Sequence, residues 1–162
     1  MMKTNVMRML DKAQIPYETA TYAYDENDLS GVHAAAQVTV ITPEQCFKTL
    51  VARADQNNLF VYCIPVAKEL DLKAAAAAAG QKRVELIHVR ELPVLTGYLR
   101  GGCSPIGMKK PYPVFIDQTA SGLDRIGISG GHRGVQVILA PNALAGFVQG
   151  RFALLTRTDG SL

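Results

Sequence analysis

Lys48 is the residue whose chemical type and surroundings most strongly suggest a ligand-binding role. It stands within residues 46–54, an apolar run typical of a strand, in which side chains alternate between the two faces of a sheet. Both faces are apolar around the lysine. An ammonium group in such surroundings either extends to solvent at the strand end or lines a cavity, where it can bind a carboxylate, carbonyl or phosphate. The sequence alone leaves both interpretations open.

Two glycine-rich segments are the second candidate for chemistry. The first is GGCSPIG at residues 101–107, and the second is SGGHRG at residues 129–134. Glycine lets the backbone approach a ligand closely, so that N–H and C=O groups can bind an oxyanion or an amine. Neither segment matches the phosphate-loop pattern GxxxxGK[ST] or the dinucleotide pattern GxGxxG. Tight turns between strands are the structural alternative.

Signatures of a protein nucleophile or of a metal site are absent from the sequence. The chain has no GxSxG and no HExxH motif. Its three cysteines, Cys46, Cys63 and Cys103, lie on or beside apolar runs, where a thiolate is disfavoured. Cys103, in the first glycine-rich segment, is the one to test as reactive, although inert packing is favoured. The cysteines and the three histidines lack zinc-ligand spacing, so we expect no metal and no cofactor.

Charge is unevenly distributed along the chain. The net charge is +3, from 17 basic and 14 acidic side chains. Residues 82–133 carry eight basic against four acidic side chains, a local excess of +4. If these groups share a face they would attract a polyanion such as RNA, although no interleaved aromatic residues for base stacking accompany them. A solvated surface of mixed charge is the alternative.

The elements that must position these residues follow no strict β-α-β order. Capping and periodicity predict helices over residues 4–14, 32–37, 67–79, 89–95 and 141–148, and a helical turn at 42–45. Apolar and β-branched runs predict strands over residues 17–24, 47–54, 59–65, 84–87, 114–117, 125–129 and 135–140. The polar residues 55–58 predict a hairpin turn. The pattern favours an α+β fold with a mixed or antiparallel sheet.

Length and composition indicate one compact domain. The chain has 162 residues, of which 48% are hydrophobic, and a mean hydropathy of +0.09. No stretch approaches the ~18 apolar residues of a membrane helix, and the N-terminus lacks the apolar region of a signal peptide. We therefore expect a single domain over residues 1–162, ordered over about 3–157, that is cytoplasmic and does not contact a membrane.

The strand motif and the two glycine-rich segments together resemble the YbaK/EbsC family of aminoacyl-tRNA deacylases. The motifs are FKTLV at residues 47–51, GGCSPIG at 101–107 and SGGHRG at 129–134, in that order. The resemblance covers nearly the whole chain and extends to TY at 21–22, VAKELDLK at 66–73 and TGY at 96–98. Each motif alone is weak, whereas three in register with comparable spacing indicate the family.

The resemblance implies a fold and an activity. The fold would be a single α+β domain with a mixed, barrel-like sheet flanked by helices, related to the editing domain inserted in bacterial prolyl-tRNA synthetases. The activity would be editing in trans, and the YbaK branch removes cysteine wrongly attached to proline tRNA. In that branch the substrate's own thiol attacks its ester carbonyl, leaving a cyclic thiolactone and free tRNA. The implied partners are aminoacyl-tRNA and prolyl-tRNA synthetase.

The resemblance also implies roles for individual residues. Lys48 would hold the 3′-terminal adenosine or the ester region of the substrate. Backbone groups of Gly101 and Gly102 would polarise the carbonyl or fix the amino group, and Lys48 and Gly101 are the implied catalytic positions. The remaining implied substrate-binding positions are Tyr22, Thr49, Ser129 and Gln136.

Two positions depart from the YbaK pattern. Where the YbaK pattern has an aspartate, implied to contact the substrate amine or the terminal ribose, this sequence has Gln136, so a neutral amide stands in place of a carboxylate. An aromatic residue of the branch is missing near Leu29 and Ser30. Both differences weaken the prediction that the substrate carries cysteine more than they weaken the prediction that the protein is a deacylase. An alanine- or serine-directed editor that uses water therefore stays open.

Two further classes of function stay open at the level of sequence. A non-catalytic module that binds tRNA ends or a synthetase would explain the local positive charge and the missing nucleophile. A small-molecule hydrolase would use Cys103, and alkylation of that thiol would abolish its activity.

Overall fold

The structure is a computed structural model that describes residues 3–24, 27, 29, 35, 40–55 and 57–157. Within these residues the α-helices are α1 Asn5–Lys12, α2 Leu72–Ala78, α3 Leu92–Thr96 and α4 Pro141–Val148. The strands are β1 Glu18–Thr21, β2 Phe47–Asp55, β3 Asn58–Pro65, β4 Glu85–Leu86, β5 Val114–Asp117, β6 Ile126–Ser129, β7 Val135–Leu139 and β8 Arg151–Ala153. Short 3₁₀ helices cover Pro43–Gln45, Val89–Glu91 and Gln118–Gly122.

The described strands form two sheets, and among the described residues one β-bridge links them. One sheet is antiparallel with the order β1-β7-β6, and the other has the order β4-β2-β3-β5-β8, with β5 parallel to both β3 and β8. Cys46, just before β2, forms a parallel bridge with Gly127 of β6. The described strands form no closed barrel. The expected barrel-like sheet is therefore corrected to two sheets. Strand β4 pairs with the C-terminal part of β2, whereas β6 bridges only to Cys46, the residue before β2.

Three hydrophobic clusters hold the elements together. The largest lies between the two sheets and includes Val6 and Leu10 of α1 and Leu144 of α4. A second cluster covers the other face of the five-stranded sheet, where the small side chains of α2 allow close packing. A third, smaller cluster contains Cys46 and Ile138, with Tyr22 packed against it. This third cluster lies beside the bridge between the sheets and is where the candidate site begins.

Most predicted elements are confirmed with small changes at their ends. The hairpin β2–β3, the strand β5 and the helix α4 lie where the sequence predicts them. The helix predicted over 89–95 is a 3₁₀ turn followed by α3, whose second residue is Pro93. The helix predicted over 32–37 falls outside the described residues except for Ala35, which is helical.

One predicted helix start is wrong and one strand was missed, each for an identifiable reason. The helix predicted over 67–79 begins only at Leu72, because the Asp71 side chain accepts hydrogen bonds from the backbone N–H groups of Lys73 and Ala74 and so caps it there. Strand β8 was not predicted at all. It has three residues, too few to show an alternating pattern, and pairs with β5 only in the folded chain. No helix in the described part of the chain has the length and apolar character needed to cross a bilayer.

Candidate active site

Lys48 is a half-buried cation on β2. It shares a strand face with Cys46 and Leu50 and lies opposite Ile64 of β3. Burial lowers the pKa of the ammonium, and the nearby Glu69 carboxylate opposes that shift. No described residue forms a hydrogen bond or an ion pair with Lys48. The side chain is therefore a partly desolvated positive charge that is available to a carbonyl, carboxylate or phosphate.

Three of the implied binding residues share one face of the three-stranded sheet. Ser129 of β6 pairs directly with Gln136 of β7, and Gln136 pairs with Ala20 of β1. Paired residues in antiparallel strands project to the same side, so Ser129, Gln136 and Ala20 share a face. Tyr22, two residues after Ala20, packs against the third cluster beside Cys46. The bridge between Cys46 and Gly127 brings this face to the start of β2.

Gln136 places an unsatisfied acceptor in this region. The residue is only 6% exposed, and its Oε1 atom has no hydrogen-bond partner among the described residues. A Cβ atom on Gly127 would lie 2.7 Å from that oxygen, so the amide occupies space that only glycine leaves free. A buried polar atom without a partner costs about 1–3 kcal/mol. A hydrogen-bond donor on a bound substrate would offset that cost.

The cysteines do not supply a nucleophile. Burial raises the pKa of the Cys63 and Cys103 thiols to about 12. Burial also raises the pKa of the Cys46 thiol. A side-chain hydrogen bond from Gln136 opposes this shift only in part. All three thiols are buried. Inert packing of Cys103 is what the structure shows, and a hydrolase built on that thiol has no support.

Thr49 lies apart from the other implied residues. It follows Lys48 on β2, so its side chain projects from the opposite face of the strand. Its Oγ1 atom lies 3.8 Å from the sulfur of Cys63, a core residue. The side chains of Lys48 and Thr49 therefore do not line the same surface.

The two glycine-rich segments pack against each other. A Cβ atom on Gly102 would lie 3.1 Å from the backbone nitrogen of Arg133, so the two backbones are in close contact. The Arg133 Nε–H donates to the Arg100 carbonyl at 2.8 Å. The fold thus brings together loops that are about thirty residues apart in the sequence.

The backbone groups of Gly101 and Gly102 are not equivalent. Gly102 donates its N–H to the Leu99 carbonyl at 2.9 Å, so this N–H is not available to polarise a substrate carbonyl. No described residue accepts a hydrogen bond from the N–H of Gly101, which is exposed. Gly101 has φ +86°, a left-handed conformation that favours glycine. Leu29, near which the resemblance implies an aromatic residue, lies over Gly101, with Cδ2 3.4 Å from the place of a Cβ atom.

A cleft of about 320 Å³ opens between the glycine-rich segments. Its walls are formed by Tyr24, Gly97, Tyr98, Leu99, Gly102, Gly131, His132 and Arg133. Sequence reasoning missed the two tyrosines and found no aromatic residues beside the basic ones. Two signals could have found them, because Tyr24 follows Tyr22 at the spacing of one strand face and Tyr98 belongs to the TGY motif.

The described residues contain no candidate metal site. No three or more His, Cys, Asp or Glu side chains there are grouped so that they could hold a metal ion. The arrangement offers one partly desolvated cation, one buried acceptor and free backbone groups beside a cleft. Such a set can bind and polarise an ester, and it offers no activated protein nucleophile.

Comparison with known proteins finds similarity over most of the chain. A family model described as the aminoacyl-tRNA editing domain matches residues 26–147. A protein of Enterococcus faecalis, provisionally named Cys-tRNA(Pro)/Cys-tRNA(Cys) deacylase EbsC, is 42% identical over 97% of this chain and 95% of its own length. A proline–tRNA ligase of Brachyspira hyodysenteriae is 25% identical over 68% of this chain and 20% of the ligase.

Solved structures share the fold. A crystal structure provisionally described as a trans-editing enzyme for prolyl tRNA synthetase matches with a TM-score of 0.79 and 20% identity, over 97% of this chain and all of the other. A crystal structure of a hypothetical protein, APE2540, matches with a TM-score of 0.81 and 18% identity, over 95% of this chain and all of the other. Both confirm the mixed α+β architecture.

Proposed function

Because the chain belongs to the aminoacyl-tRNA editing domain family, we propose that it is an aminoacyl-tRNA deacylase that acts in trans, with Cys-tRNA(Pro) as its principal substrate. The observation that carries this proposal is the similarity to EbsC along nearly the whole of both chains. The half-buried Lys48, which no described residue pairs, supports it from the geometry. A partly desolvated ammonium is suited to an ester whose oxygens gain negative charge during cleavage.

The absence of an activated protein thiol favours cleavage by the substrate itself. The cysteinyl thiol sulfur would attack the ester carbonyl carbon, forming a C–S bond as the bond to the ribose 3′ oxygen breaks. The thiol proton ends on that oxygen, so the products are a cyclic thiolactone and free tRNA. The enzyme's contribution is then to hold the sulfur near the carbonyl and to stabilise the developing charge.

Each described group has a role in that scheme. Lys48 binds the oxygens of the ester, and the N–H of Gly101, from which no described residue accepts a hydrogen bond, is a second donor to the carbonyl. The orphan Oε1 of Gln136 accepts a hydrogen bond from the substrate ammonium, with Ser129 and Tyr22 beside it on the same side of the sheet. Removal of one such donor to a developing oxyanion costs about 10²–10³-fold in rate in well-studied enzymes.

A water-using editor of alanine or serine esters is the second candidate function. The observation that favours it is Gln136, because a neutral amide holds the substrate ammonium less strongly than a carboxylate would. A thiol on the substrate is then not required, and water would be the attacking group.

Prolyl-tRNA synthetase is the partner that we propose for selecting the tRNA. Support comes from the similarity between 68% of this chain and a part of a proline–tRNA ligase. A small net charge of +3 gives the domain little affinity for tRNA on its own. A synthetase that holds tRNA(Pro) would deliver the aminoacyl end.

The test compares aminoacyl esters that differ in the amino acid or in the tRNA that carries it. Cys-, Ser- and Ala-tRNA(Pro) and Cys-tRNA(Cys) are incubated with the protein, with and without the synthetase, and loss of ester and release of thiolactone are followed. We expect loss of the cysteinyl esters with thiolactone and slow loss of the seryl ester, in which oxygen replaces sulfur. Loss of the alanyl ester without thiolactone would support the water-using editor. Stability of every ester would contradict deacylation and leave a binding module.

A further inference from the structure

The helical segment over residues 89–96 exposes apolar side chains on its outer side. Val94 is 73% exposed, more than any other large apolar side chain of the described residues, and Val89 is 57% exposed. Side chains four residues apart share one side of a helix, so Val94 lies beside Arg90 and Val89 beside Pro93. Apolar side chains that are grouped at a surface and bordered by polar ones mark contact sites for other molecules.

The segment is fixed to the rest of the fold and so presents a preformed surface. Leu92 and Leu95, on its inner side, pack against the largest hydrophobic cluster. Arg53 of β2 forms an ion pair with Glu91, with Nη2 3.0 Å from Oε1. The Glu91 carboxylate also accepts a hydrogen bond from the backbone N–H of His88 at 3.0 Å. A partner would therefore bind here with little loss of conformational freedom in this segment.

A second stretch, residues 109–112, runs beside the segment and adds positive charge. The Lys109 ammonium donates to the Val94 carbonyl at 3.2 Å. The Tyr112 hydroxyl donates to the Leu95 carbonyl at 2.7 Å. Lys110 stands between these two anchored residues and is exposed, so its ammonium is held next to helix α3.

The charge of this region is positive and not neutralised by described carboxylates. Residues 89–113 contain four basic side chains and one acidic side chain, that of Glu91. The Glu91 carboxylate is already paired with Arg53. Among the ion pairs of the described residues, none involves Arg90 or Lys110. A complementary surface would therefore present carboxylates around an apolar centre.

This combination of groups fits a protein better than RNA. We call Val89, Arg90, Pro93, Val94 and Lys110 the α3 surface. Phosphate groups of RNA could pair with its two cations, but they would leave its three apolar side chains without a contact. Protein interfaces combine a packed apolar centre with a polar rim, and arginine is enriched in them.

The α3 surface lies at the rim of the cleft between the glycine-rich segments. Lys109, which binds the Val94 carbonyl, also lies across Gly97, with its Cγ atom 3.5 Å from the place of a Cβ atom on that glycine. Gly97 is one of the residues that line the cleft. A protein bound to the α3 surface would therefore stand at the edge of the candidate active site.

We propose that the α3 surface is the docking site for a protein partner whose own surface presents an apolar side chain flanked by carboxylates. The proposed function supplies that partner, prolyl-tRNA synthetase, and the docking site therefore rests on the proposed function. Burial of Val94 contributes most of the affinity, while Arg90 and Lys110 orient the partner and speed its association. The α3 surface takes no part in cleavage of the ester.

The binding test uses purified prolyl-tRNA synthetase, free of tRNA, and compares wild type with Val94→Gln and Arg90→Gln by biolayer interferometry. We expect Val94→Gln to raise Kd about 10- to 100-fold, because one valine side chain is no longer buried. Arg90→Gln should slow association and make it less dependent on salt. Leu72→Gln is the matched control and should leave Kd unchanged. Leu72 is 41% exposed and begins helix α2, which packs on the other face of the five-stranded sheet.

Activity measurements separate docking from cleavage. On free Cys-tRNA(Pro), without synthetase, Val94→Gln and Arg90→Gln should cleave the ester at the wild-type rate. On Cys-tRNA(Pro) that is bound to the synthetase, both variants should be slower than wild type, whereas Leu72→Gln should not. A merely structural effect of either substitution would lower the two rates together, and this result would overturn the docking site.

The other outcomes are equally distinct. Equal Kd values for Val94→Gln and Leu72→Gln would overturn the docking site. So would a loss of affinity for tRNA alone in Arg90→Gln, which would assign the surface to RNA, or a wild-type dimer that Val94→Gln dissociates, which would assign it to a second copy. If wild type cleaves Cys-tRNA(Pro) but does not bind the synthetase, docking fails and deacylation stands. If wild type cleaves no ester but binds the synthetase through Val94, deacylation fails and docking stands.

Discussion

A half-buried ammonium group weakens a fold unless something binds it, and Lys48 is such a group. Burial lowers its pKa from the ordinary value of 10.5, so the charged form is disfavoured in the folded chain. The cation thus costs stability at neutral pH, where it is charged in both states. Such a cost is commonly tolerated at functional sites.

Replacement of Lys48 by methionine should therefore raise the thermal stability of the free protein at pH 7. The gain should shrink as the pH rises through the lowered folded pKa and vanish above 10.5, where the wild-type lysine is neutral in both states. Melting temperatures at pH 7 and near pH 11 measure the effect, with Lys73→Met, at an exposed position of helix α2, as the control. A Lys48→Met protein that melts lower than wild type at pH 7 would mean that Glu69 stabilises the ammonium.

Sequence alone could predict some of these residue positions and not others. The chemical anomaly of a lysine in an apolar strand identified Lys48, and strand alternation alone could have separated it from Thr49. The unsatisfied oxygen of Gln136 was not predictable, because it depends on Gly127 and Cys46 meeting at a bridge between two sheets. Local pattern carries no information about such a contact.

At the scale of elements, the packing of the two glycine-rich segments forms the cleft. Their composition predicted unusual backbone geometry, but their mutual contact depends on the paths of the chain before and after them. Gly102 is the tightest point, since a side chain there would press on the backbone of Arg133 and His132 at 3.1–3.3 Å.

Gly102→Ala should separate the two segments and reduce kcat/KM for the aminoacyl ester by about tenfold or more, because small displacements of positioning groups are costly. Gly122→Ala is the matched control, as a Cβ atom there has nothing within 4 Å and should leave the rate unchanged. Steady-state rates on Cys-tRNA(Pro) and melting curves for both variants provide the measurement. Equal activity in the two variants would show that the contact does not position the site.

Asp117 anchors the end of β5 to the C-terminal part of the described chain. It is fully buried, and its carboxylate accepts from the backbone N–H of Leu155 at 3.0 Å and from the Thr119 hydroxyl at 2.6 Å. Asp117→Ala should lower the free energy of unfolding by about 2–4 kcal/mol, because buried hydrogen-bond donors lose their acceptor. Each kcal/mol corresponds to about 2–4 °C in Tm for a chain of this size, so differential scanning calorimetry will detect the loss. Asp55→Ala, at an exposed strand end, should change little; a similar melting temperature for the two variants would refute the anchoring role.

At the scale of the whole molecule, positive charge is local rather than global. The net charge of +3 conceals an excess within residues 82–133, and the fold gathers Arg100, Lys109 and Arg133 near the cleft. The sequence predicted the excess but not the cluster. The α+β class was predicted correctly because the order of helices and strands along the chain is enough to define it. The division into two sheets was not predicted, because it depends on which strands pair.

If Arg100, Lys109 and Arg133 each contact a phosphate of the tRNA, activity should depend modestly on salt. A plot of log kcat/KM for Cys-tRNA(Pro) against log [KCl] should have a slope of about −2, from three contacts at about −0.7 per phosphate. Arg100→Ala should reduce the slope by about one such contact. Cysteine ethyl ester, which carries no phosphate, is the control and should show almost no slope. A flat line for the tRNA would remove the basic cluster from substrate binding.

In the proposed reaction, Lys48 and the substrate's own thiol cleave the ester without a protein nucleophile. The most direct measurement follows Cys-tRNA(Pro) and Ala-tRNA(Pro) with wild type, Lys48→Ala and Lys48→Arg, and records both ester loss and thiolactone. We predict loss of the cysteinyl ester alone, with one thiolactone per tRNA released, and a decrease of about 100-fold or more in Lys48→Ala that Lys48→Arg partly restores. Cleavage of the cysteinyl ester to free cysteine, or full activity in a folded Lys48→Ala protein, would contradict it.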